Sequence, residues 1–343
     1  MEDYLNTMPK TIKKKYYEKL TYEKLMEAHK KSRKGKGYRR EIIEFNLKQE
    51  EYIMWLLEKL QTKKYKHGGY TVFYVTEPKV RKIEKSRYID RIVHRWLVDN
   101  FLEPAFVPQF INTSYACLKN RGMHKACLYV KNTMKHCNKI WKDYYILKMD
   151  VSKYFDNINK KILLEILQRK IKDKELIWLI KEILYSQKRE KGIEIGNYTS
   201  QMFANIYLNK VDQYIKHKLH VKYYCRYLDD SIIILKTKEE AKYALEKIKN
   251  FLSKNLELEL NKKTQIFKSK QGVNFCGYKI NAYRLKIRDK GKRKLKKKVR
   301  KLKEQIKDGI LTSKEAQKFL AGHMGYIKIA NTRNLEEKLF YNK

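Results

Sequence analysis

The spacing of apolar residues divides this sequence into a helical N-terminal part, a mixed middle part and a helical C-terminal part. Before about residue 65 the apolar positions recur at helical spacing, and the β-branched and aromatic residues of 70–83, interrupted by Pro78, predict strands. Further helices are predicted at 89–101 (closing near Pro104), 160–170, 174–186, 200–220, 238–253 and 290–307, and from 312 to the end; further strands are predicted at 144–149, 222–227, 231–235, 264–268 and 273–280. This order predicts an α+β fold in which helices cover an antiparallel sheet.

Acidic residues stand where the predicted strands of the middle part end. Asp150 closes the strand at 144–149, and Leu228-Asp229-Asp230 forms a hairpin tip between two β-rich runs. If these strands are neighbours in one sheet, the three carboxylates converge. A pair of aspartates is more often only a solvated turn, and both interpretations stay open on the local pattern. The apolar run Ser231–Leu235 favours a tip that is held fixed.

Converging carboxylates are suited to joining nucleotides. The reaction needs a nucleophilic 3′-hydroxyl and a pyrophosphate leaving group. Two Mg²⁺ ions about 3.5–4 Å apart stabilise the attacking oxygen and the leaving oxygen. Mg²⁺ prefers carboxylate oxygens and substrate phosphates as ligands. The three acids therefore predict a site for two Mg²⁺ ions, for which Mn²⁺ is an expected substitute.

The charge balance points to a polyanionic partner. The net charge is +42, from 80 Lys and Arg against 38 Asp and Glu, and neutralising phosphates releases counterions. A lysine-rich genome composition explains the choice of Lys over Arg, but explains the shortage of balancing acids less well. The predicted helix at 290–307 carries an apolar stripe of Leu295, Val299, Leu302 and Ile306 opposite a face of Lys and Arg. Nucleic acid is the expected partner, ahead of a membrane surface.

The cysteines and the N-terminus predict a soluble, cytoplasmic protein. The five cysteines include no C-x-x-C pair, which is typical of a reduced compartment. The charged N-terminus lacks the apolar core of a secretion signal, and no apolar run is long enough to span a bilayer.

Three motifs resemble those of reverse transcriptases in both their residues and their order along the chain. Asp150–Phe155 resembles the first acidic motif of these enzymes, Tyr227–Asp230 is similar to their Y-x-D-D box, and Phe275–Tyr278 resembles their primer-gripping turn. The resemblance covers nearly the whole chain and implies an RNA-directed DNA polymerase with a right-hand fold. It implies an N-terminal helical extension at 1–75, fingers at 76–142, a palm at 143–282 with 158–195 contributing to the fingers, and a helical thumb at 283–343.

The resemblance also implies a role for each motif residue. Asp150 and Asp229 would bridge the metal ions with Asp230 as the third acid, and Val151 would add a backbone carbonyl. Phe155 would exclude a ribose 2′-hydroxyl, although a phenylalanine here is equally compatible with core packing. The residues implied to bind the incoming deoxynucleotide are Lys79, Arg81, Lys153, Tyr154, Phe155, Ile195, Gly196 and Gln201, and those implied to grip the primer are Phe275, Cys276, Gly277 and Tyr278.

Cationic residues are implied to bind the RNA template and the DNA primer or product. Arg87 and Arg91 have either an RNA-binding or a structural role, and Lys79 and Arg81 have a solvated face as their alternative. The other expected nucleic-acid contacts are Arg121, Lys292, Arg293, Lys296, Lys297 and Arg300.

A further set of residues resembles the enzymes of diversity-generating retroelements. Many other reverse transcriptases carry Gln-Gly at the position of Ile195-Gly196 and Ser-Pro at the position of Ser200-Gln201. An Ile at this position offers only shape to the nucleotide, so geometric selection should loosen. The resemblance is to bacterial and phage enzymes, and the subtype implies errors at template adenines, a specific structured RNA and a basic accessory protein that forms a ring. Two alternatives remain: a defence-associated bacterial reverse transcriptase that copies a linked noncoding RNA or polymerises without usual templating, and a non-catalytic RNA-binding scaffold.

Overall fold

The computed structural model describes residues 11–76 and 80–341, which form two units. The first unit comprises the described residues up to Asn112 together with Val151–Lys218 and Ile248–Glu259. The second unit comprises Thr113–Asp150, Leu219–Lys247 and the described residues from Leu260 onward. The boundaries of fingers, palm and thumb stay predictions.

The helices and strands follow one another in a mixed order. The helices are α1 (Tyr16–Lys19), α2 (Tyr22–Arg33), α3 (Arg40–Leu47), α4 (Gln49–Gln61), α5 (Tyr88–Leu97), α6 (Glu103–Phe106), α7 (Met123–Trp141), α8 (Tyr154–Asn157), α9 (Lys160–Lys170), α10 (Lys174–Leu184), α11 (Tyr198–His217), α12 (Lys238–Leu256), α13 (Asp289–Lys307), α14 (Ser313–Ile329) and α15 (Arg333–Glu336). The strands are β1 (Tyr70–Val75), β2 (Arg81–Ser86), β3 (Tyr145–Asp150), β4 (Tyr223–Tyr227), β5 (Asp230–Leu235), β6 (Gln265–Lys268), β7 (Val273–Phe275), β8 (Tyr278–Ile280) and β9 (Leu285–Ile287).

The second unit is built on a four-stranded antiparallel sheet in the order β4-β5-β3-β6. Its two central strands are buried, because Ile146 and Leu147 of β3 and Ile232 and Ile233 of β5 are at most 1% exposed. The sheet therefore holds the ends of β3 and β5 in place.

One helix packs against this sheet, and a second, smaller sheet completes the core of the unit. The buried face of α7 shares a hydrophobic cluster with β4, β5 and the antiparallel sheet β7-β8-β9. Leu295 and Val299 of α13 belong to the same cluster, while the other face of α13 is basic and exposed. The stripe that the sequence predicted is therefore the face that packs inward.

The first unit is mostly helical and carries the hairpin β1-β2. The side chains of α5 and α11 supply much of its core, and α2 packs on α5. The N-terminal segment is also attached, because Ile12 pairs with Ile171 in a short parallel bridge and the carboxylate of Asp173 accepts hydrogen bonds from the N–H groups of Lys15 and Tyr16.

Three local features differ from the expectations or were not expected. The chain stays helical through Pro104 instead of closing there, because Pro104 lies in the first turn of α6, where its missing N–H is not needed. The pattern did not predict α7, whose buried face is made mainly of small and sulfur-containing residues, and it did not predict the short strand β9. Among the described residues, no helix is long and apolar enough to cross a membrane.

Candidate active site

The three candidate catalytic acids lie at one end of the four-stranded sheet. Asp150 is the last residue of β3 and pairs directly with Asp230, the first residue of β5. Paired residues of antiparallel strands point to the same face of a sheet. Tyr227 pairs with Asp230 across the hairpin, so Asp229 lies in the two-residue turn between β4 and β5. The strands that carry Asp150 and Asp230 are therefore neighbours in one sheet, and the convergence of the three carboxylates stays a prediction.

The turn is held in an unusual conformation. Leu228 has φ +54°, a region that favours glycine and costs other residues roughly 1–3 kcal/mol. The guanidinium of Arg226, a residue 2% exposed, donates a hydrogen bond to the Leu228 carbonyl at 3.1 Å. The backbone of Arg226 is itself bonded on both sides, to the Thr113 carbonyl and the Tyr115 N–H at 3.0 Å. A buried residue that the sequence did not single out thus braces the acidic turn.

The carboxylate of Asp230 combines burial with neighbouring charges. Burial raises its pKa to about 7, the ammonium of Lys148 opposes this shift, and the carboxylates of Asp150 and Asp229 add to it. The Lys148 Nζ atom lies 3.5 Å from Asp230 Oδ2, while Oδ1 is buried without a hydrogen-bond partner. Like charges held together in this way favour a bound cation.

The donor set fits a hard divalent cation. Carboxylate oxygens are the ligands that Mg²⁺ prefers, and the buried Oδ1 of Asp230 is an acceptor that a metal ion would satisfy. Among the described residues, however, no three His, Cys, Asp or Glu side chains form a group that could by itself hold a metal ion. Substrate phosphates supply ligands in such sites, so Asp150, Asp229 and Asp230 would hold the ions together with the nucleotide. Val151, the next residue after Asp150, is buried.

The residues expected to bind the nucleotide belong to the first unit, except that Lys79 lies outside the described residues. Arg81 at the start of β2 is exposed, as is Lys153, which precedes α8 with φ +40°. Phe155 is half-buried. Tyr154 is buried and its hydroxyl donates to the Ala204 carbonyl at 2.6 Å, so its side chain holds α8 on α11.

The loop from Gly192 to Asn197 is hydrogen-bonded to the segments that carry several of these residues. The Ile193 N–H donates to the Phe155 carbonyl at 2.9 Å, and the Glu84 N–H of β2 donates to the Ile195 carbonyl at 3.1 Å. Ile195 is half-buried and Gly196 is exposed with φ +121°. A Cβ atom on Gly196 would lie 3.0 Å from the side chain of Ile83, so both the conformation and the space favour glycine.

Asn197 fastens this loop to β2. Its Oδ1 accepts hydrogen bonds from the N–H and the hydroxyl of Ser86 at 3.2 and 2.7 Å, and its Nδ2 donates to the Glu84 carbonyl at 3.3 Å. All three residues are buried. Gln201, one turn further along α11, is half-buried and its N–H donates to the Asn197 carbonyl at 3.4 Å. Asn197 was not among the candidate site residues that the sequence predicted.

The predicted primer grip is the hairpin β7-β8. Phe275 pairs with Tyr278 and both are buried, so Cys276 and Gly277 are the accessible residues among the four that were expected to grip the primer. The ring of Tyr278 stacks on that of Tyr326 at 5.4 Å, which ties the hairpin to α14. The Cys127 thiol and burial raise the pKa of the Cys276 thiol, so Cys276 is not a reactive thiolate.

The cationic candidates fall into two groups. The Arg91 guanidinium bonds to Glu41 at 2.7 Å and the Arg121 guanidinium bonds to the Ser114 carbonyl at 2.7 Å, which gives both a structural contact. Arg87 is exposed and precedes α5. The remaining candidates all lie on α13, on the side away from its buried stripe or at its edge: Lys292, Arg293, Lys296, Lys297 and Arg300.

Along the chain, the antiparallel sheet that ends in paired acids is followed by the hairpin β7-β8 and the basic helix α13. Residues 66–280 match the family described as reverse transcriptase (RNA-dependent DNA polymerase). The chain belongs to this family. The expected right-hand polymerase fold of the α+β class is thereby confirmed.

The chain is also similar, at low sequence identity, to individual proteins. The chain is 26% identical over 247 residues to protein YkfC of Escherichia coli K12, covering 59% of this chain and 63% of YkfC. It is 23% identical over 309 residues to the group II intron-encoded protein LtrA of Lactococcus lactis, covering 68% of this chain and 50% of LtrA. It therefore spans less than two thirds of the length of either relative. A solved structure of telomerase from Candida albicans with a fragment of telomeric RNA aligns at a TM-score of 0.49 and 12% identity, covering 70% of this chain and 49% of the telomerase.

Proposed function

We propose that this protein is an RNA-directed DNA polymerase that extends a primer with deoxynucleoside triphosphates on an RNA template. The observation that carries the proposal is the direct pairing of Asp150 with Asp230 beside the braced turn of Asp229, in a chain of the reverse transcriptase family. Rigid strands aim these acids at one place, as the transfer reaction requires.

The residues of the chain divide the work of the reaction. Asp150, Asp229 and Asp230 hold Mg²⁺, which when bound stabilises the attacking and leaving oxygens of the displacement. Arg81 neutralises the triphosphate, and the loop at Ile195 and the ring of Phe155 shape the sugar pocket. Lys153 lies two residues before Phe155 in the sequence, and Gln201 lies six residues after Ile195.

The proposal extends to error-prone copying in a diversity-generating retroelement. Ile195 supports it, because this side chain cannot donate or accept a hydrogen bond at the position where many related enzymes have Gln. A structured RNA and an oligomeric basic accessory protein are the partners that this proposal includes. A cytoplasmic location stays a prediction.

Primer extension on an RNA template with Mg²⁺ and dNTPs tests both the polymerase activity and the error-prone copying. The matched inactive variant carries both Asp229→Asn and Asp230→Asn. We expect DNA synthesis by the native chain, loss of about 10³-fold or more in the variant, and errors concentrated opposite template adenine. Faithful or untemplated synthesis would keep the polymerase and favour the defence-associated enzyme. Equal synthesis by the native and variant chains would contradict the catalytic role of the acids. No synthesis even with the native RNA and accessory protein would favour the scaffold.

A further inference from the structure

A lysine on the central strand connects the acidic end of the sheet with the hairpin that grips the primer. Lys148 lies two residues before Asp150 on β3, so the two side chains share a face of the sheet. Its Nζ atom donates a hydrogen bond to the Asn274 carbonyl at 2.7 Å and lies 3.5 Å from Asp230 Oδ2. Asn274 is the middle residue of β7, directly before Phe275.

The connection is made by one ammonium group between two separate sheets. Asp230 belongs to the four-stranded sheet and Asn274 to the sheet β7-β8-β9. An ammonium has three N–H donors and can serve both partners at once. The side chains of Lys148 and Asp230 are only 21% and 28% exposed, so solvent screens this pair less than a surface ion pair.

We propose that Lys148 is a positioning residue that fixes the primer-gripping hairpin relative to Asp230, and through the hairpin the primer 3′ end. This inference rests on the proposed polymerase function. The attacking 3′-hydroxyl must come within about 3–3.5 Å of the phosphorus atom, and a displacement of about 1 Å costs on the order of 100-fold in rate. A fixed distance between the acid and the hairpin removes one source of that displacement.

The chain offers a matched control for the loss of one positive charge. Lys268 at the end of β6 is exposed and pairs with Tyr145, at the opposite end of β3 from Asp150. Lys268→Met and Lys148→Met therefore remove the same charge from the same sheet, but only Lys148→Met removes the connection. Lys148→Arg keeps a cation with several donors.

The first test is single-turnover primer extension by the native chain and these three variants. We expect Lys148→Met to lower the extension rate by about 10- to 100-fold while the KM for dNTP and the dissociation constant of the primer–template stay within about 2-fold of those of Lys268→Met. Lys148→Arg should recover part of the rate. A rate for Lys148→Met equal to that of Lys268→Met, or a loss confined to primer–template binding, would overturn the proposal.

The second test does not depend on activity. Thermal unfolding in EDTA is measured for Lys148→Met in the native chain and in an Asp230→Asn background. We expect a larger fall in melting temperature in the native background, because only there does the substitution remove a charged partner. Equal falls in melting temperature in both backgrounds would show that Lys148 and Asp230 do not interact, and would overturn the proposal. If the native chain makes no DNA on any template, the proposed function fails, whereas this unfolding comparison still decides whether the connection exists.

Discussion

Replacing Asn197 with Ala should weaken both the stability of the first unit and the binding of nucleotide. The substitution removes three hydrogen bonds between the loop at Ile195 and strand β2, at 2.7, 3.2 and 3.3 Å. Each bond contributes about 0.5–1.5 kcal/mol, and an unpaired buried donor or acceptor costs about 1–3 kcal/mol. Because Ser86 and Glu84 are buried, we expect the free energy of unfolding to fall by about 2–4 kcal/mol.

The effect on function follows from the same contacts. Once Asn197 no longer fastens the loop, the bond between Glu84 N–H and the Ile195 carbonyl remains, together with the ion pairs of Arg189 with Glu84 and Glu194. We expect the KM for dNTP to rise by about 5- to 10-fold, which corresponds to roughly 1 kcal/mol of lost binding, with a smaller change in primer–template affinity. Urea unfolding and steady-state extension measure the two effects.

The control for this prediction is Asn255→Ala. Asn255 also donates from its side chain to a backbone carbonyl, that of Phe251 at 3.1 Å, but it does so on an exposed face of α12. Surface changes of this kind usually alter stability by less than about 0.5 kcal/mol. If Asn197→Ala matched this control in both unfolding free energy and KM, the role assigned to the buried contacts would be refuted.

Three further outcomes are expected. Ile195→Gln should lower the error rate opposite template adenine, because a Gln side chain adds a hydrogen-bond donor and an acceptor to the pocket. Sequencing of the products measures this error rate, and an unchanged error spectrum would show that Ile195 does not determine fidelity. Phe155→Val should raise the use of ribonucleotides, measured as the ratio of kcat/KM values for rNTP and dNTP, and an unchanged ratio would leave Phe155 a packing residue. Burial lowers the pKa of His94 to about 3. As the pH falls below about 6.5, the imidazole of His94 therefore takes up a proton in the unfolded chain but not in the folded chain. The stability that the neutral, buried imidazole contributes is complete above about pH 6.5 and is lost as the pH falls toward 3. At pH 5 this loss is about 2 kcal/mol, and thermal unfolding between pH 7.5 and 5 should show a smaller fall for His94→Gln than for the native chain.

The sequence predicted those parts of the fold that have a local signature. The strand before Asp150, the hairpin around Asp229 and the basic helix α13 all follow from apolar spacing, and the structure has them within a few residues of the expected bounds. The helix α7 escaped prediction because its buried residues, such as Ala126, Cys127 and Cys137, give a weak apolar signal. Element type is therefore recovered where large apolar residues mark the buried face.

The contacts that hold the candidate site together have no such signature. Lys148 bonds to Asn274, and Asn197 bonds to Ser86, across more than 100 residues in each case. Asn197 stands at the N-cap position of α11, where an Asn normally caps the helix, yet its side chain makes no cap bond and turns to β2 instead. A motif identifies the residues that perform chemistry, but the residues that position them become visible only in three dimensions.

The place of β3 between β5 and β6 has a consequence for how the protein is made. These partners lie about 80 and 120 residues further along the chain, and a ribosome adds about 5–20 residues per second. The apolar strand Tyr145–Asp150 therefore spends roughly 4–24 s without one or both of its neighbours. During that interval its unpaired edges invite aggregation, so slower growth or a chaperone should raise the yield of soluble protein. A nascent chain that stops before residue 230 already has the described nucleotide-pocket candidates, but it does not yet have the paired acids.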